Sequence, residues 1–297
     1  MRVAFVGCVE FSCTALDRVL AHEDAEVVGV VTRATSPFNA DFCSLVPLAR
    51  EHGIPCLLAE GNDQGDLAAW LRQRDPDVVY CFGWSYLLKS EILTIPRLGV
   101  VGYHPAALPH NRGRHPIIWA LALGLDSTAS TFFFMDEGAD SGDILSQEEV
   151  PIHGDDDARS LYDRLTTVAG QQIDTFTAAL AHGTYGRTPQ DDRNSNYWRK
   201  RSKRDGRIDW RMSSRGVHDL VRALSRPYPG AHFELAEGEV IVWRVERVDD
   251  AFRHPNFEPG RVLAVDDGSF VVKCGEGAVR VLEWTSDFSP DPATYLP

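Results

Sequence analysis

Residues 77–82 read DVVYCF and residues 99–104 read GVVGYH. Each is a short apolar run rich in valine and aromatic side chains, the pattern of a strand buried on both faces. Working outward, Arg2–Val6 and Glu26–Thr32 (EVVGVVT) have the same character, and Pro55–Leu58 is a shorter example. Between them Ser12–Ala21, Leu45–His52 and Gln64–Arg74 carry apolar residues at helical spacing. Strands alternating with helices of this length predict βαβ units, hence an α/β fold with a mostly parallel, doubly wound, Rossmann-like sheet. The turn after the first strand, Gly7-Cys8-Val9-Glu10-Phe11, lacks the second and third glycines of G-x-G-x-x-G, so a dinucleotide reading fails.

The pattern changes near residue 197. Trp198–Arg207 (WRKRSKRDGR) holds six basic residues in ten positions. Beyond it Arg215–Leu224 reads as one amphipathic helix. Short alternating segments come next at Val240–Val245, Gly260–Val265, Ser269–Lys273 and Ala278–Trp284, with a turn at Asp267-Gly268. This spacing predicts a smaller antiparallel β domain of barrel or sandwich type. The expected organisation is a first domain over 1–197, a basic linker over 198–207 and a second domain over 208–297.

Charge narrows the partners. Lys+Arg number 30 against 43 Asp+Glu, a net −13, and such a chain repels polyanions at long range. Generic nucleic-acid binding and anionic membranes are therefore disfavoured. No apolar run is long enough to span a bilayer, and Glu10 falls too early for a secretory signal. Six scattered cysteines without a C-x-x-C pair are expected as reduced thiols in a cytoplasmic protein, with no metal site and no disulfide.

Two loops carry the candidate chemistry. Residues 99–119 read GVVGYHPAALPHNRGRHPIIW, so a strand delivers His104 at its C-terminal end, where open α/β sheets place ligand crevices. Prolines 105, 109 and 116 stiffen the loop beyond His104, and Arg112 and Arg114 supply two guanidinium forks suited to carboxylate or phosphate. Residues 135–145, MDEGADSGDIL, form an acidic loop after Phe132-Phe133-Phe134. Its spacing is not that of an EF-hand. A hard-metal site, a plain acidic turn, and a carboxylate aimed at the strand-end histidine all remain open.

The order H-P-x-x-L-P-x-x-R-G-x-x-P-I (His104 to Ile117), then D-x-G-A-D-x-G-D-I (Asp136 to Ile144), resembles the formyltransferases that use 10-formyltetrahydrofolate. Gly206–Trp210 (GRIDW) and Arg226–Ala231 (RPYPGA) resemble the junction and C-terminal domain of the same family, so nearly the whole chain is covered. The closest subsets are the sugar-nucleotide N-formyltransferases and methionyl-tRNA formyltransferase-like proteins. The resemblance implies that His104 and Asp140 are catalytic and that no metal is needed. It implies a pterin pocket formed by Phe82, Gly83, Trp84, Tyr86 and Leu87, closed by Gly138, Ala139 and Gly142.

One position departs from the family. The catalytic asparagine two residues before the histidine is Gly102 here. In the family that amide helps hold the formyl oxygen, and a donor of this type supplies about 3–4 kcal/mol of transition-state stabilisation. Three explanations stand open: another group (Asn111, His115 or a water) fills the place, the transferred group or acceptor pose differs, or activity is lost. A non-catalytic folate- or nucleotide-binding protein is the rival reading.

For the acceptor, residues 208–297 carry 10 Lys+Arg against 15 Asp+Glu. That balance makes tRNA the unfavoured choice and an amino-sugar nucleotide the expected one, held by Arg112, Arg114 and Asn39. An amino acid, peptide or Met-tRNA is the alternative acceptor. A homodimer through the C-terminal β surface stays open.

Overall fold

The computed structural model describes the whole chain except residues 37–38, 62–63, 237, 249–255, 286–287 and 293. In chain order the elements begin β1 (Arg2–Val6), α1 (Glu10–Leu20), β2 (Glu26–Thr32), α2 (Val46–Glu51), β3 (Cys56–Leu58), α3 (Gly65–Arg74), β4 (Val78–Cys81), α4 (Ser90–Leu93) and β5 (Val100–His104). They continue with β6 (Arg112–Gly113), α5 (Pro116–Ala122), β7 (Ser127–Phe134), β8 (Ile144–Pro151), α6 (Ala158–His182) and β9 (Tyr197–Trp198). The chain ends with α7 (Ser214–Ala223), β10 (Ala231–Leu235), β11 (Gly238–Val248), β12 (Val262–Asp266), β13 (Ser269–Lys273) and β14 (Ala278–Thr285). Two compact units result. The first comprises Met1–Pro116, Thr128–Val150 and Asp163–Trp198, and the second Ile117–Ser127, Pro151–Tyr162 and Arg199–Pro297.

The first unit is built on a seven-stranded sheet of order β3-β2-β1-β4-β5-β7-β8. Its strands from β3 to β5 pair in parallel, and β7 returns antiparallel to β5. Successive side chains on a strand point to opposite faces, so each strand feeds two cores. Ala4, Val6, Val79 and Cys81 join Leu67, Ala68 and Leu71 of α3 in one. Phe5, Tyr80 and Phe82 point the other way: Phe82 stacks on Tyr80 at 5.2 Å, and Tyr80 meets Phe176 of α6 edge-on at 5.6 Å. The buried Tyr80 hydroxyl pairs with Thr177 Oγ1 at 2.9 Å, which satisfies a polar group that burial would otherwise penalise. The parallel strands place the ends of β1, β2, β4 and β5 along one edge, and that edge carries the candidate chemistry.

The second unit holds a five-stranded antiparallel sheet of order β10-β11-β14-β13-β12. Its helix α7 buries Val217, Leu220 and Val221, spaced to share one face. Ser213 caps it by accepting from the Gly216 amide at 3.1 Å. The basic stretch is folded and groups with this unit. Asp205 pairs with Arg199, Lys203 pairs with Glu239 at 2.8 Å, and Arg199 and Arg201 lie over the Trp119 ring. Segments 117–127 and 151–162 also group with the second unit.

The expectation of six reduced thiols needs correction. Cys13 and Cys43 are joined by a disulfide across a Cα–Cα distance of 6.7 Å. The Val9–Phe42 bridge and the hydrogen bonds Glu10 N–Asp41 O (2.9 Å) and Cys43 N–Cys8 O (3.1 Å) lay the segment around residue 42 along the start of α1. That apposition is tertiary, so sequence spacing does not reveal it. Thiol titration of the denatured, unreduced protein should count four free cysteines, rising to six after dithiothreitol; six in both states would refute the bond. Cys43→Ser should lower unfolding stability by about 2–4 kcal/mol, a difference that reductant abolishes.

Candidate active site

His104 ends β5 and is buried to 5% exposure. Its Nε2 lies 2.7 Å from the backbone oxygen of Asn111, and a carbonyl can only accept, so Nε2 carries the proton. In the neutral ring the lone pair then resides on Nδ1. Asp140 Oδ2 lies 3.6 Å from that nitrogen. The same Oδ2 accepts from the Gly113 amide at 2.8 Å, which fixes the carboxylate. The structure thus brings together the two residues singled out as catalytic.

Loops far apart in the chain hold this pair. Arg112-Gly113 forms a short parallel ladder with Tyr197-Trp198. A Cβ on residue 113 would stand 2.3 Å from the Trp198 carbonyl oxygen, at a φ of 107°, so only glycine fits. Gln190, unmarked by any sequence signal, donates from Nε2 to the backbone oxygens of Asp140 (2.9 Å) and Gly142 (2.6 Å). Its own Oε1 accepts from Arg112 Nη2 at 2.8 Å. Within the acidic loop, Asp136 accepts from the Gly138 amide and the Ser141 hydroxyl, so this carboxylate closes a turn. Asp140 itself sits at a φ of 57°.

Gly102 is explained by its surroundings. A Cβ there would lie 2.9 Å from Met135 Cγ and 3.0 Å from Phe133 Cζ. The side chains of β7 and its extension therefore fill the place that an asparagine would need. The Asn111 side chain is held by Asn196 through its oxygen. Asn196 Nδ2 donates to Asn111 Oδ1 at 3.2 Å, and the Asn111 backbone amide donates to Asn196 Oδ1 at 2.8 Å. The contribution of Asn111 is its carbonyl, presented to His104 from a left-handed φ of 64°. Asn111→Ala should strain that turn and lower kcat several-fold, whereas Asn111→Gly, which adopts positive φ freely, should keep more activity than alanine. Equal losses in steady-state rates would place the effect in the side chain instead. His115 is half-buried, at a φ of 58° just before α5.

The expected acceptor and pterin groups divide sharply. Arg112 is 2% exposed, and its guanidinium meets Gln190, Asp192 and Tyr197. It braces the loops rather than facing a ligand. Arg114 is exposed and donates to the Ser85 carbonyl at 3.1 Å. Asn39 accepts from Ser85 Oγ at 3.1 Å and donates to Cys8 Sγ at 3.5 Å. Burial pushes the Cys8 thiol up to about 11, against an opposing pull from Arg33, so no reactive thiolate stands here. Phe82 is a core ring with no exposed surface, its N–H donates to the Val6 oxygen and its own oxygen accepts from Ser12 Oγ, so the residue is committed to the core. Trp84 and Tyr86 stack on Arg33, and the Leu87 side chain is exposed. Gln64, also unforeseen, pins this loop: its Nε2 donates to the Leu87 oxygen and its Oε1 accepts from the Lys89 amide, both at 2.8 Å.

Two features lie elsewhere, both in the second unit. A cavity of about 450 Å³ is lined by residues including Asp126, Arg215, His218, Asp219 and Arg222, and contains neither His104 nor Asp140. His232, Glu234 and Glu239 bring possible metal-ligand atoms within 4.8 Å of one another. There the Lys203 ammonium already neutralises Glu239 at 2.8 Å. No helix among the described residues is long and apolar enough to cross a membrane.

Residues 1–176 match the formyl transferase family and residues 200–287 its C-terminal domain, and the chain belongs to that family of formyl-transferring enzymes. A methionyl-tRNA formyltransferase of Geobacter metallireducens is 33% identical over 288 residues, covering 95% of this chain and 90% of the relative. That of Caldanaerobacter subterraneus subsp. tengcongensis is 32% identical over 289 residues, covering 95% and 91%. Among solved structures, the N-formyltransferase from Helicobacter canadensis, in complex with folinic acid and dTDP-3-aminofucose, superposes with a TM-score of 0.71 over 95% of this chain and 99% of its own. At 16% identity that likeness is one of fold.

These relatives overturn the partner expectation. Full-length relatives at 33% and 32% identity are methionyl-tRNA formyltransferases, so neither the exclusion of tRNA nor the assignment of an amino-sugar nucleotide stands. The physical error lies in using net charge summed over ninety residues. Charges separated by more than about 8 Å are largely screened at physiological salt, so a local cluster outweighs a regional sum.

Proposed function

We propose that this chain transfers a formyl group from 10-formyltetrahydrofolate to the free amine of an aminoacyl-tRNA, with methionyl-tRNA as the acceptor. The observation that carries this reading is the 33% identity to a methionyl-tRNA formyltransferase over 95% of the chain. The His104–Asp140 pair stands at the crevice edge where such a reaction needs a base. The folate supplies the formyl group as donor substrate. Backbone groups of residues 83–88 and 138–142 would bind its pterin, since Phe82 is committed to the core.

The chain's own residues then handle the proton. The Asn111 carbonyl holds Nε2–H, so Nδ1 of His104 is the atom that takes the proton leaving the attacking amine and returns it to N10 as the formyl C–N10 bond breaks and tetrahydrofolate leaves. Asp140 Oδ2, 3.6 Å away, stabilises the imidazolium so formed. The Gly113 amide keeps that carboxylate aimed. Gly102 places no donor at the formyl oxygen, so positioning and proton transfer carry more of the catalysis than an added amide would leave them.

The test is formylation of methionyl-tRNA by purified protein with 10-formyltetrahydrofolate, read as formyl-methionyl-tRNA on acid gels, beside amino-sugar nucleotides and free amino acids. Formylation of another acceptor with none of the tRNA would sink the acceptor assignment. Transfer to nothing in the panel would sink the reaction.

A further inference from the structure

Arg33, directly after β2, is a buried cation at the strand-end edge, 8% exposed. Its guanidinium lies 5.1 Å from the ring centre of Trp84 and 4.6 Å from that of Tyr86, and Nη2 donates to the Gly61 carbonyl. Among the described residues no carboxylate pairs with it. A buried charge is ordinarily paired, because desolvation otherwise penalises it heavily. Ring faces and one carbonyl offset only part of that penalty, and a guanidinium fork is shaped for two anionic oxygens.

A second cation meets the same tip. Arg114 donates to the Ser85 carbonyl and likewise has no carboxylate partner among the described residues. Neutral groups link the same tip to the start of α1, Ser85 Oγ donating to Asn39 Oδ1 and Asn39 Nδ2 to Cys8 Sγ, with the Asp41 carboxylate acting on Cys8 nearby. A run of contacts ties this tip to the reacting end. His104 faces Asp140, Asp140 accepts from Gly113, and Arg114 is the next residue. β2 and β5 lie three strands apart, about 14 Å at about 4.8 Å per strand.

We propose that Arg33 and Arg114 form an anion receptor around the Trp84-Ser85-Tyr86 tip, which takes a phosphate or carboxylate group carried by a substrate while its reacting end lies at His104. The proposal rests on the formyl-transfer reading only in placing the reacting end. The shared chemistry has two sources, a phosphodiester of the acceptor or the carboxylates of the folate tail.

Two titrations by calorimetry, neither needing turnover, test it. Inorganic pyrophosphate probes the phosphate source. The pair 5-formyltetrahydrofolate and 6-methyltetrahydropterin, with and without carboxylates, probes the folate source. Arg33→Met keeps length and apolar stacking but removes the charge, and should weaken the relevant anion at least about tenfold. Arg114→Met, at an exposed position, should weaken the same anion and serves alone if the Arg33 variant does not fold. Loss of pyrophosphate binding assigns the phosphate source. Loss confined to 5-formyltetrahydrofolate, with 6-methyltetrahydropterin unaffected, assigns the carboxylate source. Wild-type protein that binds neither anion, or variants that bind both as wild type does, would overturn the receptor. Because these outcomes are binding constants, a failure to formylate methionyl-tRNA leaves them readable.

Discussion

His104→Ala is expected to lower kcat/KM for formyl transfer by about 10²–10⁴-fold, the range for removing a positioned general base. The fall should lie in kcat, with the KM of the folate nearly unchanged, because the imidazole acts on the amine proton in the transition state. Asp140→Asn separates charge from geometry. The new amide oxygen can still accept from Gly113, so the loop is kept while the stabiliser of the imidazolium is lost. We expect a loss smaller than that of His104→Ala but still at least about tenfold, on the scale of a charge-assisted interaction. Single-turnover rates measured beside the equilibrium binding of 5-formyltetrahydrofolate give both numbers. Wild-type single-turnover rates in either variant would remove that residue from the mechanism.

The second large effect concerns Gly102. Restoring the family's residue as Gly102→Asn should not raise activity, and it should destabilise the first unit by about 1–3 kcal/mol, the usual range for overpacking a filled core. The obstruction is specific: Met135 Cγ at 2.9 Å and Phe133 Cζ at 3.0 Å from the new Cβ. Gly102→Ala should therefore show most of the stability loss, and Met135→Ala combined with Gly102→Asn should recover part of it. Urea unfolding of the three variants decides the matter. A Gly102→Asn protein as stable as wild type and faster in turnover would show instead that the site accepts the amide. If the prediction holds, glycine at 102 is matched to the packing of β7 rather than a simple deletion from a common site.

Much of the fold is legible locally. DVVYCF contains β4 and GVVGY most of β5, because short valine-rich runs bounded by polar residues and followed by turn signals favour a strand buried on both faces. The pattern is less decisive after residue 120. The long helix α6 and the strands β7 and β8 carry no single decisive motif, and the Phe132–Phe134 run fits a helix or a strand until its neighbours are known. The His104 and Asp140 motifs are visible because each is contiguous in sequence.

Sequence alone determined the mostly parallel α/β sheet and the antiparallel second unit, and the resemblance carried by two contiguous motifs pointed to the two residues that face each other at 3.6 Å. The fold features arise from side-chain periodicity, which is a property of neighbouring residues. The tertiary structure decided the rest: that Arg112 braces rather than binds, that Gln190 and Asn196 hold the catalytic loops, that Cys13 meets Cys43, and that Arg33 is buried against two aromatic rings. Each of these joins segments tens of residues apart, and which distant side chains meet is set by how the elements pack, a relation no local pattern records.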